Sequence, residues 1–121
     1  TRPSASFEHL PPAIHTEFVL EINILPSAQA DLESGYWFYE AQADRLGTYF
    51  LDSLTSDIES LHLFAGIHPK PAGGFYRTLS KRFPFAIYYE ITGATVLVVA
   101  VLDCRQDPAS IRERLGSQVT R

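Results

Sequence analysis

Six cations carry most of the chemistry available to this sequence: Arg77, Lys81 and Arg82 in one cluster, and Arg105, Arg112 and Arg114 in another. Arginine holds its proton at any working pH and is a poor proton shuttle, so these groups suit fixed-charge recognition better than acid–base work. The remaining reactive side chains are sparse. Cys104 could act as a thiol nucleophile only beside a base, and no local signature pairs it with His9, His15, His62 or His68. Those histidines lack ligand spacing three or four apart, so no metal is expected. Gly73 and Gly74 precede neither a helix nor a Lys-Ser/Thr pair, so no phosphate cradle is present. No cofactor is expected.

The chain has 121 residues, 45% hydrophobic and 20% charged, which fits one globular domain and excludes general disorder. The charge is uneven. Residues 1–69 hold two arginines against ten acids, whereas residues 70–121 hold eight bases against four acids. A net charge of −4 argues against a general polyanion binder, so direct nucleic-acid binding is not expected, yet the second half could face an acidic partner. One cysteine forbids an intramolecular disulfide and points to a reducing, cytoplasmic compartment. No apolar run approaches the length of about 20 residues that spans a bilayer, so no membrane association is expected. Methionine is absent, and the first residues are expected to be a processed or appended end.

Periodicity then gives the elements that must place these groups. Residues 1–16, with Pro3, Pro11 and Pro12, read as an extended tail that could pack on a partner through Phe7 and Leu10. Phe18, Leu20, Ile22 and Ile24 alternate as a half-buried strand that Pro26 ends. Ser27 reads as an N-cap, with Asp31 near the positive end of the helix dipole. Ala28, Leu32, Tyr36, Tyr39, Ala43 and Leu46 recur on one helix face; Gly35 permits a close neighbour, and Gly47 suits a left-handed C-cap. Phe50, Leu54, Ile58 and Leu61 predict a second helix, antiparallel to the first because the link is short. Residues 65–74 are a loop. Phe75, Arg77 and Leu79 share a face of the next strand, and Phe83, Phe85, Ile87, Tyr89 and Ile91 share a face of the one after. Residues 95–102 are apolar on both faces, as a central strand should be. Asp107-Pro108 opens a short helix ending near Gly116. The expectation is an α+β domain over residues 17–116: a strand, a helical hairpin, a three-stranded antiparallel meander and a short C-terminal helix, with residues 117–121 a tail.

Several landmarks coincide in order: Leu25-Pro26-Ser27-Ala28 leading to Trp37-Phe38-Tyr39, then Leu46-Gly47-Thr48-Tyr49-Phe50, Tyr76-Arg77, Arg82-Phe83-Pro84-Phe85-Ala86-Ile87-Tyr88-Tyr89, Val98-Val99-Ala100-Val101-Leu102 and Arg105-Gln106-Asp107-Pro108. This set resembles the ParE branch of the RelE/ParE toxins of type II toxin–antitoxin modules, over roughly residues 18–115. The resemblance implies a toxin neutralised by a cognate antitoxin that wraps it, with DNA gyrase as the target. RelE relatives instead cut mRNA on the ribosome, using basic residues and a Tyr or His near the C-terminus. Here nothing after Arg105 is Tyr, His or Lys, so a ribonuclease would lack its terminal acid or base. A ribosome-dependent endoribonuclease and a non-toxic degenerate homologue stand as the alternatives. A homodimer is one admissible state.

Each candidate residue has a plainer role beside the functional one. Arg77, Lys81 and Arg82 form either a solvated basic edge or a surface for the antitoxin or target. Arg112 and Arg114 either complement a helix C-terminus or, with Arg105, contact the target. Trp37, Phe38 and Tyr88 are too many rings for one stripe; at least one of them is expected to meet a partner, whereas Tyr39 and Tyr89 are expected in the core. No catalytic residue is assigned.

Overall fold

The computed structural model describes residues 21–70 and 74–119. The expected tail over residues 1–16 and the start of the strand expected from Phe18 lie outside them. Four strands, β1 (Glu21–Ile24), β2 (Tyr76–Leu79), β3 (Phe85–Thr92) and β4 (Thr95–Asp103), form one sheet in the order β1-β4-β3-β2. Helices α1 (Pro26–Glu40), α2 (Leu46–Glu59) and the single turn α3 (Leu61–Phe64) lie between β1 and β2, and α4 (Pro108–Val119) follows β4. The fold is α+β. The last three strands are the expected antiparallel meander. β1 joins it in parallel, Glu21 opposite Thr95 through Ile24 opposite Val98.

The sheet has a core on each face. Ala28, Leu32, Tyr39, Phe50, Leu54, Ile58 and Leu61 of the helices pack on Phe85, Ile87, Tyr89, Val96, Val98 and Val101. On the other face Leu115 of α4 packs with Phe75, Ala86, Tyr88, Val99, Ala100 and Leu102. Strict alternation along β4 would not yield this division, because Val98 and Val101 face the same core. A bulge supplies the shift: Tyr88 pairs with Ala100 and Tyr89 with Val98, leaving Val99 unmatched.

The helical hairpin depends on two glycines. A Cβ on Gly35 would lie 2.4 Å from the Phe50 ring, so Gly35 gives the close approach that its position suggests. Gly47 does something other than expected. It is not the C-cap of α1, which ends at Glu40 with Ala41 as a right-handed cap. The left-handed residue is Arg45, at φ 70°, just before α2. Gly47 lies inside α2, where a Cβ would meet the Tyr36 carbonyl at 2.5 Å. The Glu40 carboxylate accepts from the Arg45 and Gly47 amides at 3.1 and 2.9 Å, tying down the start of α2. Since α1 stops early, Ala43 is exposed rather than inward.

Ser27 and Asp31 also differ from expectation. Leu25 is the N-cap, with no side-chain bond, and Pro26 opens the helix. The Ser27 hydroxyl donates to the Val99 carbonyl at 2.9 Å, and the Asp31 carboxylate accepts from the Val101 amide at 2.9 Å. Both serve backbone groups of β4 beyond the point where β1 pairs with it. α1 therefore continues along the edge of β4 that β1 leaves open. Helix α4 runs past Gly116, the expected end, through Val119.

Candidate functional site

Two of the six cations are held by carboxylates. Arg105 straddles Asp103, with Nε 2.9 Å from one carboxylate oxygen and a terminal nitrogen 2.6 Å from the other. This contact raises the affinity of Arg105 for its proton and holds the Asp103 carboxyl below the usual carboxylate range. Arg114 reaches from α4 to α1, meeting the two Asp31 oxygens at 2.8 and 2.7 Å and the Ser27 carbonyl at 3.3 Å. The pair is largely buried, with 29% of the Arg114 side chain and 14% of the Asp31 side chain exposed. The helix-terminus role weighed for Arg114 is thus not what occupies it; the side chain fastens α4 to the rest of the fold.

The other four, Arg77, Lys81, Arg82 and Arg112, have no ion-pair partner among the described residues. Lys81 and Arg82 are exposed in the turn between β2 and β3. That turn is held by Asp57 of α2, a buried carboxylate that accepts from the Ser80 hydroxyl at 2.8 Å and the Lys81 amide at 3.3 Å. Arg77 is half-buried on β2, opposite Tyr88, and its charge reaches Cys104. Burial pushes the Cys104 thiol up, while Arg77 pulls the other way. Arg77 thus stands within electrostatic range of Cys104, while Lys81 and Arg82 lie on the turn joining β2 to β3 and Arg112 on α4.

Of the three rings, at least one of which is expected to meet a partner, Trp37 is 66% exposed and Phe38 55% exposed. Tyr88 is 3% exposed and cannot contact a partner in this conformation. Its position on β3 turns it onto the face that α4 covers, a cover the apolar periodicity of the hairpin does not reveal. Phe38 overhangs a groove of about 380 Å³ between α1 and the open edge of β4, with Gly35, Leu102, Asp103, Gln106 and Arg114 around it. Tyr36, edge-on to Trp37 at 4.9 Å, lines a second groove of about 410 Å³ with Ile24, Leu32 and Leu51. The last two turns of α1 therefore present rings to both sides of the hairpin.

Asp31, Asp57 and Asp103 organise this surface, and sequence reading assigned none of them that part. Only Asp103 carries a local signal, its two-residue spacing from Arg105; the other two act across 83 and 23 residues of chain. Among the described residues no three His, Cys, Asp or Glu side chains converge as a metal site would require. Nor, among the described residues, is any helix long and apolar enough to cross a membrane.

Comparison with known proteins places the chain among toxin–antitoxin proteins in sequence and finds it similar to one of them in fold. The family described as "ParE toxin of type II toxin-antitoxin system, parDE" matches residues 22–108. A solved structure titled "Chromosomal ParDE TA system from P. aeruginosa" is similar in fold, with a TM-score of 0.63 at 16% identity, covering 69% of this chain and 94% of that one. No curated protein is similar enough to this chain to match it.

Proposed function

The chain belongs to the ParE family of toxins of type II toxin–antitoxin systems, and from that premise we propose that it disables a protein target by binding it, without catalytic turnover. The target is DNA gyrase, and a cognate antitoxin holds the protein inactive in the cytoplasm. The observation that carries this reading is the exposure of Trp37 and Phe38 on a helix whose other face is locked into the core. Large rings held rigidly at a surface are the usual anchors of a protein interface. The charges of Arg77, Lys81, Arg82 and Arg112, without ion-pair partners among the described residues, add long-range attraction for an acidic partner segment. Arg105 and Arg114 contribute differently, since their partners are already inside the chain.

A metal-free ribonuclease needs cations free to meet phosphate and a group that moves a proton. Arg105 on Asp103 supplies neither in this arrangement. The deciding experiment has two stages. Induced expression arrests growth, and co-expression of the small adjacent gene product restores it. Purified protein then slows DNA supercoiling by gyrase in proportion to its concentration. Growth arrest with unaffected supercoiling would retain a toxin and reject gyrase; mRNA cuts in translating extracts would favour the RelE-type alternative.

A further inference from the structure

The loop joining α3 to β2 is fastened to the sheet at three points. The Gly66 amide donates to the Tyr89 hydroxyl at 2.9 Å, and His68 Nδ1 lies 2.6 Å from the same oxygen. The Arg77 amide donates to the Pro69 carbonyl at 2.9 Å. Arg77 belongs to β2, the end strand of the sheet, so its amide points outward and the loop covers that outer edge. Gly66 reaches its position at φ 96°, which glycine adopts without strain.

The two contacts to Tyr89 divide the work of one phenol. Burial pushes the Tyr89 hydroxyl up, so it keeps its proton and can donate. Its oxygen accepts from the Gly66 amide, and with the imidazole hydrogen at Nε2 the phenol hydrogen is left to donate to a bare His68 Nδ1, the tautomer this contact requires. A protonated imidazole would present a second donor to the same oxygen. The phenol hydrogen would then have to leave a site enclosed by a buried ring. The groups around the contact do not favour the imidazolium. Tyr89 comes from β3, Tyr76 of β2 stacks on Tyr89 at 5.1 Å, and Lys70 of the loop itself stands 4.5 Å over the Tyr76 ring. None is a carboxylate, and burial lowers the pKa of His68.

We propose that His68 is an acid-released latch: protonating its imidazole breaks the contact with Tyr89, loosens the loop over residues 66–70 and bares the outer edge of β2 at Arg77. The latch goes beyond the toxin reading and stands without it. Its stabilising effect is complete above the usual imidazole range and is lost as pH falls through the lower value of the folded state.

Amide hydrogen exchange on the full chain tests this, with rates corrected for intrinsic exchange, at about pH 8 and about pH 5. Protection at Arg77 should fall roughly five- to tenfold in acid, as expected for loss of one hydrogen bond. His68→Asn keeps an acceptor near the Nδ1 position but cannot take up a proton, and its Arg77 protection should not change with pH. Tyr89→Phe should lose that protection at both pH values. Unchanged Arg77 protection in the wild-type protein, an equal acid loss in His68→Asn, or full protection in Tyr89→Phe would overturn the latch. So would an equal fall at the core amides of Val98 and Ala100, which would signify general unfolding.

Discussion

Asp31 and Arg114 meet across 83 residues of chain, oxygen to nitrogen at 2.8 and 2.7 Å, and the same carboxylate receives the Val101 amide. One side chain therefore joins α1, β4 and α4. Removing Arg114 leaves Asp31 with a backbone partner, whereas removing Asp31 leaves the Val101 amide without its acceptor and the guanidinium with only the long contact to the Ser27 carbonyl.

Asp31→Ala is accordingly expected to destabilise more than Arg114→Ala. We expect about 2–4 kcal/mol for the first and about 1–2 kcal/mol for the second. Urea unfolding of the two variants and of the double variant measures both values and their coupling. Equal losses would refute the shared-carboxylate arrangement.

Two helical glycines should respond to alanine in opposite ways. A Cβ at Gly47 would lie 2.5 Å from the Tyr36 carbonyl, a backbone atom, so Gly47→Ala should cost roughly 1–3 kcal/mol. Gly116 in α4 has nothing within 4 Å, so Gly116→Ala should gain up to about 1 kcal/mol from helix propensity. Thermal melts of the pair give the comparison directly.

Trp37→Ala and Phe38→Ala should leave the melting temperature nearly unchanged. Each should weaken antitoxin or target binding by about 1–2 kcal/mol, or roughly 5- to 30-fold. Tyr88→Ala should do the reverse of a surface change and cost about 3–5 kcal/mol in stability, because that ring is buried beneath α4. Calorimetry of binding together with melting separates the two classes.

The neighbours of Cys104 set its reactivity. Its thiol is raised by burial first and by Asp103, and lowered by Arg77 and Arg105. Arg77→Ala should therefore raise it further and slow alkylation near pH 8 by a few-fold, the size expected of a partly screened charge. Asp103→Asn should speed alkylation at the same pH. The pH profile of iodoacetamide labelling reads both, and a faster reaction in Arg77→Ala would contradict the placement.

The elements were legible because their signals are local. Alternation at Ile22 and Ile24, the helical set from Ala28 to Tyr39, and the even spacing of Phe85, Ile87 and Tyr89 all follow from single-element geometry. What escaped depends on contacts between distant segments. Gly47 follows the last residue of an apolar helical period, which imitates a cap, yet its smallness serves Tyr36 on the neighbouring helix. Ser27 and Asp31 look like helix-starting residues but are drawn off by open backbone groups of β4. Tyr88 stood among the candidate partner rings because the cover supplied by α4 rests on Ile111 and Leu115, too few apolar residues to register as a face. At the candidate surface, the exposed Trp37–Phe38 pair and the basic residues could be read from residue type. Which cations were already paired could not.

The unmatched Val99 has a consequence for how the folded chain meets other copies of itself. Residues 96–102 are seven uncharged apolar residues in succession, the kind of segment that stacks into fibrils when strands align flat and in register. In the finished sheet the bulge sets the two halves of that segment out of phase, and Ser27 and Asp31 occupy its open side. An incoming copy cannot lie flat along its whole length. The irregularity that lets one strand serve two cores also makes it a poor template for amyloid.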